Sequence, residues 1–317
     1  PHYCLVGGDS RLHEWLDTEL PRMADAPEGV RLAIAAPRGE AKSTFVSLFF
    51  VLWAVLTGRK HYILIIADAL EQAASLLGAV KDELEFNEAL KRDFPGAGKG
   101  HVWNVGTVVT PGNVKIQALG AGKRMRGLRH GPHRPDLIVL DDLENDGNVD
   151  KPEQRDKLQS WLQKTVLNLG AADGSMDVVY VGTLLHYDSV LARTLRKPLW
   201  KARTFRSILR WPDRMDLWDE WESLLSSRGE AEARRFYRQH RVKMEAGAEV
   251  SWPASRPLYR LMCLRAEDRE AFDSEQQNDP LSANEAPFNG CITFWVDRSR
   301  DWLLFGAVDP SLGKQGA

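Results

Sequence analysis

The chain has 317 residues, with 43% hydrophobic residues, 27% charged residues and a formal net charge of −2. These values are typical of a globular protein, and the length allows one large domain or two ordinary ones, each with its own core. The nearly balanced charge excludes a protein that attracts nucleic acid through its overall field. Contact with a polyanion would have to be local, through basic segments such as residues 122–134 and 234–243, which are otherwise typical of solvated surfaces.

The sequence pattern contains no indication of membrane insertion or secretion. The longest apolar run, residues 45–56, is too short to cross a bilayer and predicts a buried helix. No basic start followed by an apolar block is present near residue 1, so we expect no signal peptide. Cys4, Cys263 and Cys291 are odd in number and far apart, which predicts reduced thiols in a cytosolic setting rather than a metal site.

Short apolar runs rich in valine and isoleucine predict strands that are buried on both faces. Segments with helical spacing separate most of them, and one begins with Pro152, which suits a first helical turn. Strands that alternate with helices predict an α/β fold with a doubly wound, mostly parallel sheet. The predicted strands are residues 30–36, 61–67, 113–119, 137–140 and 178–182, and the predicted helices are residues 43–56, 69–92 and 152–169.

The pattern changes after about residue 200. Residues 214–227 and 229–246 have helical spacing, and residues 302–311 again predict a strand. We therefore expect a helical part after the α/β part. Prolines mark the breaks between its elements, at Pro212, Pro253, Pro257, Pro280 and Pro287.

The segment AIAAPRGEAKSTF, residues 33–45, places a loop between the first predicted strand and the first predicted helix. In the phosphate-binding pattern G-x-x-x-x-G-K-[ST], such a loop cradles phosphates with backbone N–H groups and the helix N-terminus. Ala36 and Ala41 stand where the pattern has glycine, and alanine is strained wherever φ is positive. The alternative to a nucleotide site is an ordinary turn that ends in a helix cap.

As a nucleotide site, this loop would bind ATP together with Mg²⁺. Lys42 would reach the β- and γ-phosphates, the Ser43 hydroxyl would ligate Mg²⁺, and Arg38 would add a second cation near the phosphates. The predicted nucleotide-binding residues are Arg38, Gly39, Glu40, Ala41, Lys42, Ser43 and Thr44.

Two acids end a later apolar strand in PDLIVLDDLEND, residues 135–146. This is the pattern of a Walker B strand, in which one carboxylate holds Mg²⁺ and a neighbouring acid polarises the attacking water. Asp141 is the predicted metal residue, and Asp142 and Glu144 are alternative catalytic acids. A helix cap or an exposed loop is the other interpretation of the acidic pair.

A third strand, in VVYVGTLLHYDS at residues 178–189, ends in glycine and threonine. This arrangement places the hydroxyl of Thr183 beside the acid-bearing strand, where it could sense the γ-phosphate. His186 follows closely, but a single histidine after a strand is more often structural than catalytic.

In this order, the motifs resemble those of the large subunit of tailed-phage terminases, the ATPase that pumps DNA into an empty capsid. The resemblance extends over nearly the whole chain. This family commonly departs from the standard glycine pattern of the phosphate loop. The matching segments are APRGEAKST, RMRGLRHG, PDLIVLDDLEND, VGTLLHYDS and FDSEQQNDP, the last at residues 272–280.

The resemblance implies further roles for matching residues. Gly182 and Thr183 would form a coupling motif that links hydrolysis to movement. Arg126 stands where the family has an arginine finger, which would reach the ATP of a neighbouring subunit, and Arg129 is the alternate. Both arginines could instead contact DNA phosphates or solvent.

The family also carries a nuclease domain with an RNase H-like fold, which uses two Mg²⁺ or Mn²⁺ ions held by acids. LLFGAVDPSLGK, residues 303–314, resembles the first strand of that domain, with Asp309 as its first metal ligand. The remaining acids are absent from this sequence. We therefore expect ATPase activity and no DNA cleavage from this stretch alone.

The resemblance implies three parts: a P-loop ATPase core at residues 1–200, a helical lid or linker at 201–295 and the start of the nuclease at 296–317. It also implies a homo-oligomeric ring of five copies on the portal protein, a terminase small subunit as partner, and sequence-independent contacts with double-stranded DNA. The expected location is the host cytoplasm, transiently at the portal vertex of the procapsid, with no membrane contact.

Two other functions stay open on the sequence. A DNA helicase or repair translocase would have a similar ATP site, although no second RecA-like core follows residue 200. A non-catalytic assembly protein with a decayed loop would account for the missing glycines, although Lys42, Ser43 and Asp141 are retained.

Overall fold

The computed structural model describes residues 8–280, which belong to one compact unit. An eight-stranded sheet, with strand order β3-β4-β5-β2-β6-β7-β1-β8, forms its centre. The strands from β5 to β8 in this order are parallel, and β3 and β4 extend one edge antiparallel. The strands are β1 Arg31–Ala35, β2 Tyr62–Ala67, β3 Val102–Trp103, β4 Thr107–Val109, β5 Lys115–Gly120, β6 Leu137–Asp141, β7 Asp177–Gly182 and β8 Lys201–Thr204.

Helices cover both faces of the sheet, so the predicted doubly wound α/β architecture is confirmed. One core packs α1, α2 and α3 against one face, and a second core packs α6 and α7 against the other. Strands β2, β6 and β7 are buried along their whole length, as their unbroken apolar runs predict. These helices are α1 Arg11–Ala24, α2 Val51–Leu56, α3 Leu70–Phe86, α4 Glu88–Asp93, α5 Asp146–Val149, α6 Pro152–Lys164 and α7 Val190–Leu195, with a 3₁₀ turn at Val166–Asn168.

Two predicted helices differ in detail from the sequence expectation. A π-helical stretch, Thr44–Phe50, precedes α2, so the first helix is not regular throughout. The predicted helix over residues 69–92 is two helices, because Asn87 leaves the helical conformation and its side chain caps α4. Helix α1 and strand β8 were not predicted. Strand β8 lies beyond residue 200, and it pairs with β1 at the edge of the sheet.

Beyond β8, a helical region builds a core of its own around the buried Trp218 and Trp221. A two-stranded antiparallel ribbon, β9 Ile208–Arg210 and β10 Glu249–Val250, joins its elements. The predicted strand at residues 302–311, with Asp309, lies outside the described residues. No helix within residues 8–280 has the length and apolar character needed to cross a bilayer. The helices of this region are α8 Met215–Arg228, α9 Glu230–Glu245, α10 Leu258–Glu267 and α11 Arg269–Glu275.

Candidate active site

The candidate site lies where three adjacent parallel strands end at the same edge of the sheet. Strand β7 lies between β1 and β6, and Ala35 at the end of β1 is level with Gly182. Asp141 at the end of β6 is level with Val181. The carboxyl ends of parallel strands are the usual position for ligand sites in such sheets. Residues 37–43, which we call the phosphate loop, follow β1 and so enter this edge directly.

Lys42 connects the phosphate loop to the ends of β6 and β7. Its ammonium group, nearly buried, donates a hydrogen bond to Thr183 Oγ1 at 3.0 Å and lies 3.3 Å from Asp142 Oδ2. The hydroxyl of Thr183 in turn donates to the Ala36 carbonyl at 3.2 Å. Three of the predicted site residues therefore converge within hydrogen-bonding distance of one another.

The Asp141 carboxylate is buried and accepts hydrogen bonds from two serines. Ser43 Oγ donates to Oδ1 at 3.0 Å, and Ser47 Oγ donates to Oδ2 at 2.5 Å. Burial, reinforced by the negative charge of Asp142, raises the pKa of Asp141 to about 6. Ser47 was not among the predicted residues, although it lies one helical turn after Ser43 and therefore on the same face.

This donor set fits a Mg²⁺–triphosphate complex. A hydroxyl and a carboxylate, Ser43 and Asp141, offer the oxygen ligands that Mg²⁺ prefers. Within residues 8–280, no group of three or more histidine, cysteine, aspartate or glutamate side chains could hold a metal by itself.

Strained backbone is concentrated at this site. Ala41 has φ 54° and Asp142 has φ 46°, both in the left-handed region that non-glycine residues rarely adopt. Ala36, at the other glycine position of the loop pattern, donates its N–H to the Gly182 carbonyl at 2.9 Å and continues the strand pairing. Glycine is therefore unnecessary at position 36, whereas position 41 carries the strain that its sequence implies.

Gly39 and Ala41 should differ in how strongly substitution changes the stability of the protein. Ala41→Gly is expected to change the free energy of unfolding by less than about 1 kcal/mol, because relief of left-handed strain offsets the greater freedom of glycine in the unfolded chain. Gly39→Ala should destabilise by about 1–3 kcal/mol. The residue has φ 78°, and a Cβ there would lie 1.9 Å from Arg256 Nη2. Urea denaturation checks both, and equal effects would contradict the described loop.

Glu144 accepts hydrogen bonds from a set of donors that does not include Lys42. Its carboxylate accepts from the backbone N–H groups of Val190 at 2.8 Å and Leu191 at 3.1 Å, and from the Tyr180 hydroxyl at 3.3 Å. It therefore caps the start of α7. Burial raises the pKa of Glu144, and these hydrogen bonds oppose the rise. Of the two alternative catalytic acids, Asp142 is the one that contacts Lys42.

The two candidate finger arginines lie on an exposed basic loop. Met125 and Leu128 pack into the core and anchor this loop, while Arg126 and Arg129 are exposed. Within residues 8–280, neither arginine forms an ion pair. Arg38, by contrast, is paired with Glu275 Oε1 at 2.5 Å.

Glu40 is the single carboxylate of the phosphate loop, and it is fully buried. Its side chain has no exposed surface, and its Oε2 accepts a hydrogen bond from Ser251 Oγ at 3.2 Å. No hydrogen-bond partner of Oε1 lies within the described part of the chain. Burial raises the pKa of Glu40 to about 7, against the opposing charge of Arg256.

This raised pKa predicts a pH dependence of stability. The folded protein binds the Glu40 proton more tightly than the unfolded chain, whose glutamate has a pKa of 4.5. The free energy of unfolding should therefore fall as pH rises from about 4.5 to about 7, by roughly 3 kcal/mol relative to Glu40→Gln, and then level. Urea denaturation across this range, on both proteins, checks it. His13, which contacts the Glu40 carbonyl, is common to both and cancels; parallel curves would contradict the prediction.

Comparisons with known proteins found similarity among solved structures. No family model and no curated protein matches the sequence. The chain is similar to the solved ATPase domain of the large terminase of Thermus phage P74-26, with 16% identity and a TM-score of 0.40, over 88% of this chain and 100% of that chain. An arginine-to-alanine variant of that domain gives 14% identity and a TM-score of 0.36, over 82% and 92%. The assignment of function therefore depends on the site geometry.

Proposed function

We propose that the protein is an ATPase that translocates double-stranded DNA, acting as the motor subunit of a viral packaging machine. The observation that carries the ATPase proposal is the convergence of Lys42, Asp141 and Thr183 at the ends of three adjacent strands. Lys42 and Ser43 lie on the loop after β1, and Asp141 lies at the end of β6, with β7 between these two strands. This placement supports a Walker A and Walker B arrangement.

Each contact has a role in this proposal. ATP with Mg²⁺, when bound, supplies the reacting phosphoryl group and the metal. Lys42 would orient the β- and γ-phosphates, and Ser43 and Asp141 would hold the metal. Asp142 would accept a hydrogen bond from the attacking water. The N–H of Thr183 donates to Asp142 Oδ1 at 3.3 Å, so it would keep that carboxylate oriented.

The DNA part of the proposal is supported by unpaired positive charge. In the basic loop at residues 122–134, no ion pair of the described chain involves the lysine or arginines, and no acid is present in the segment. In helix α9, by contrast, Arg234, Arg235 and Arg241 pair with glutamates of the same helix. The loop therefore keeps more charge for phosphate oxygens, whether these belong to DNA or to a neighbour's ATP.

We further propose that Arg126 completes the ATP site of a neighbouring copy in a homo-oligomeric ring. Arg126→Ala is expected to lower kcat by about 10³-fold in the assembled ring, as loss of an arginine finger does. Arg129→Ala should change kcat by less than about tenfold. Steady-state ATP hydrolysis checks both variants. Mixing Arg126→Ala with Lys42→Ala should restore part of the activity, because mixed rings contain sites with both residues; a mixture as inactive as its components would contradict action between subunits.

The proposed function is tested by Mg²⁺-dependent phosphate release from ATP, with and without double-stranded DNA. Hydrolysis that DNA of any sequence stimulates would support a translocase. Nucleotide binding without hydrolysis under ring-forming conditions would instead favour a non-catalytic assembly protein. The portal protein and the terminase small subunit are the further partners that this proposal implies.

A further inference from the structure

Residues 275–278, which we call the latch, contact both sides of the candidate ATP site. At one end, the Glu275 carbonyl accepts the Arg38 N–H at 2.8 Å, and its carboxylate pairs with the Arg38 guanidinium. At the other end, Asn278 Oδ1 accepts the N–H of Leu184, the residue after Thr183, at 2.9 Å. The phosphate loop and the end of β7 are thus linked through four consecutive residues.

The latch is itself held firmly in place. Asn278 Nδ2 donates to the Phe205 carbonyl at 2.8 Å, just beyond β8, and Asn278 adopts φ 49°. Gln276 Oε1 accepts from Arg256 Nη1 at 2.5 Å and from Ser207 Oγ at 3.2 Å. Gln276 and Asn278 are each 5% exposed. Polar side chains this buried are normally fixed by their hydrogen bonds, so the latch has a single defined conformation.

Arg256 adds a second link between the latch and the phosphate loop. Its guanidinium packs against Gly39, where a Cβ would lie 1.9 Å from Arg256 Nη2 and would force the arginine to move. Its positive charge also lowers the pKa of the Glu40 carboxyl, against the larger effect of burial. Movement of the latch would therefore change the positions of Arg38, Gly39 and Thr183 together.

We infer that the latch positions the two halves of the nucleotide site relative to each other, with Asn278 acting on the γ-phosphate side and Glu275 on the phosphate loop. This inference rests on the proposed ATPase function. None of the latch residues belongs to the predicted nucleotide-binding set, so they act as positioning residues through Leu184 and Arg38. Because the latch begins at Glu275, the last residue of α11, it joins the helical region to the nucleotide site.

Substitutions at the two ends of the latch should change the affinities for ATP and ADP in different ways. Thr183 is the residue expected to contact the γ-phosphate, which ADP lacks. Asn278→Gly should therefore weaken a non-hydrolysable ATP analogue at least tenfold and ADP less than threefold. Glu275→Gln removes the ion pair with Arg38 but keeps the backbone contact. It should weaken both ligands by a similar factor, because Arg38 belongs to the loop that would hold the phosphates common to ATP and ADP. Calorimetric titration of each ligand in the presence of Mg²⁺ measures these changes.

Asn113→Gly is the matched control, because Asn113 is also an asparagine at positive φ, 60°, in a turn far along the chain from the latch. It should leave both affinities unchanged. Equal ratios of analogue to ADP affinity in Asn278→Gly and Asn113→Gly would overturn the inference.

Hydrogen exchange without nucleotide separates this inference from the proposed function. The Leu184 amide, which donates to Asn278, should exchange at least tenfold faster in Asn278→Gly than in the wild type or in Asn113→Gly. Unchanged exchange at Leu184 would overturn the positioning role even if nucleotide binds. A wild-type protein that binds neither ligand would overturn the proposed function, while the exchange result still decides whether the latch holds the end of β7.

Discussion

Lys42→Ala is expected to lower the rate of ATP hydrolysis at least 10²-fold while the protein stays folded. The ammonium group is the one cation of the described site that contacts both the Asp142 carboxylate and the Thr183 hydroxyl. Removing a single preorganised donor from developing charge costs about 10²–10³ in kcat in other enzymes. Phosphate release at saturating Mg²⁺ and ATP measures the effect, with circular dichroism as the test of folding.

The matched control is Lys99→Ala, which removes the same charge from an exposed position. It should hydrolyse ATP at the wild-type rate, since overall charge contributes little to a contact made at the site. Turnover by Lys42→Ala that remains near the wild-type rate would show that the phosphate loop has been assigned to the wrong residues.

Asp142→Asn and Glu144→Gln should separate the two candidate catalytic acids. Asp142→Asn is expected to lower kcat by about 10²–10⁴-fold with ATP affinity within about threefold, because it removes the acceptor for the proton of the attacking water. Glu144→Gln should instead cost about 1–3 kcal/mol of stability, because an amide N–H₂ would face donors at the start of α7. Its kcat should change little.

Single-turnover kinetics and urea denaturation, run on both variants, provide the measurements. The expected result is a loss of activity in one variant and a loss of stability in the other. A Glu144→Gln protein that is stable but inactive would transfer the catalytic role to Glu144, in spite of its three hydrogen bonds.

The central sheet could be predicted from the sequence because its strands are buried on both faces. Unbroken runs such as residues 61–67 and 178–182 leave few other structures, and acids that follow such strands collect at one edge. Strand β8 could not be predicted in the same way. It is an edge strand with all four residues exposed, so it has no apolar pattern.

Helix α1 was missed although its signals are present in the sequence. Ser10 caps its first turn, and Leu12, Leu16 and Leu20 recur at helical spacing on its buried face. The end of α3 at Asn87 could also have been predicted, since asparagine is a favoured helix cap.

Some contacts around the site could be predicted from the sequence, and others could not. Asp141, Asp142 and Lys42 follow from local motifs, each next to a predicted strand. The contacts of Arg38 with Glu275 and of Glu40 with Ser251 join residues more than 200 positions apart. No local pattern encodes such pairs, and they become visible once the helical region has packed beside the phosphate loop.

The central claim is that Lys42 and Asp141 act on the same Mg²⁺-bound triphosphate. Calorimetric titration of wild-type protein and Asp141→Asn with a non-hydrolysable ATP analogue, with and without Mg²⁺, tests it most directly. We expect Mg²⁺ to tighten binding to the wild type at least tenfold and to leave the affinity of Asp141→Asn nearly unchanged, while Lys42→Ala binds weakly under both conditions. An equal benefit from Mg²⁺ in the wild type and in Asp141→Asn would contradict the claim.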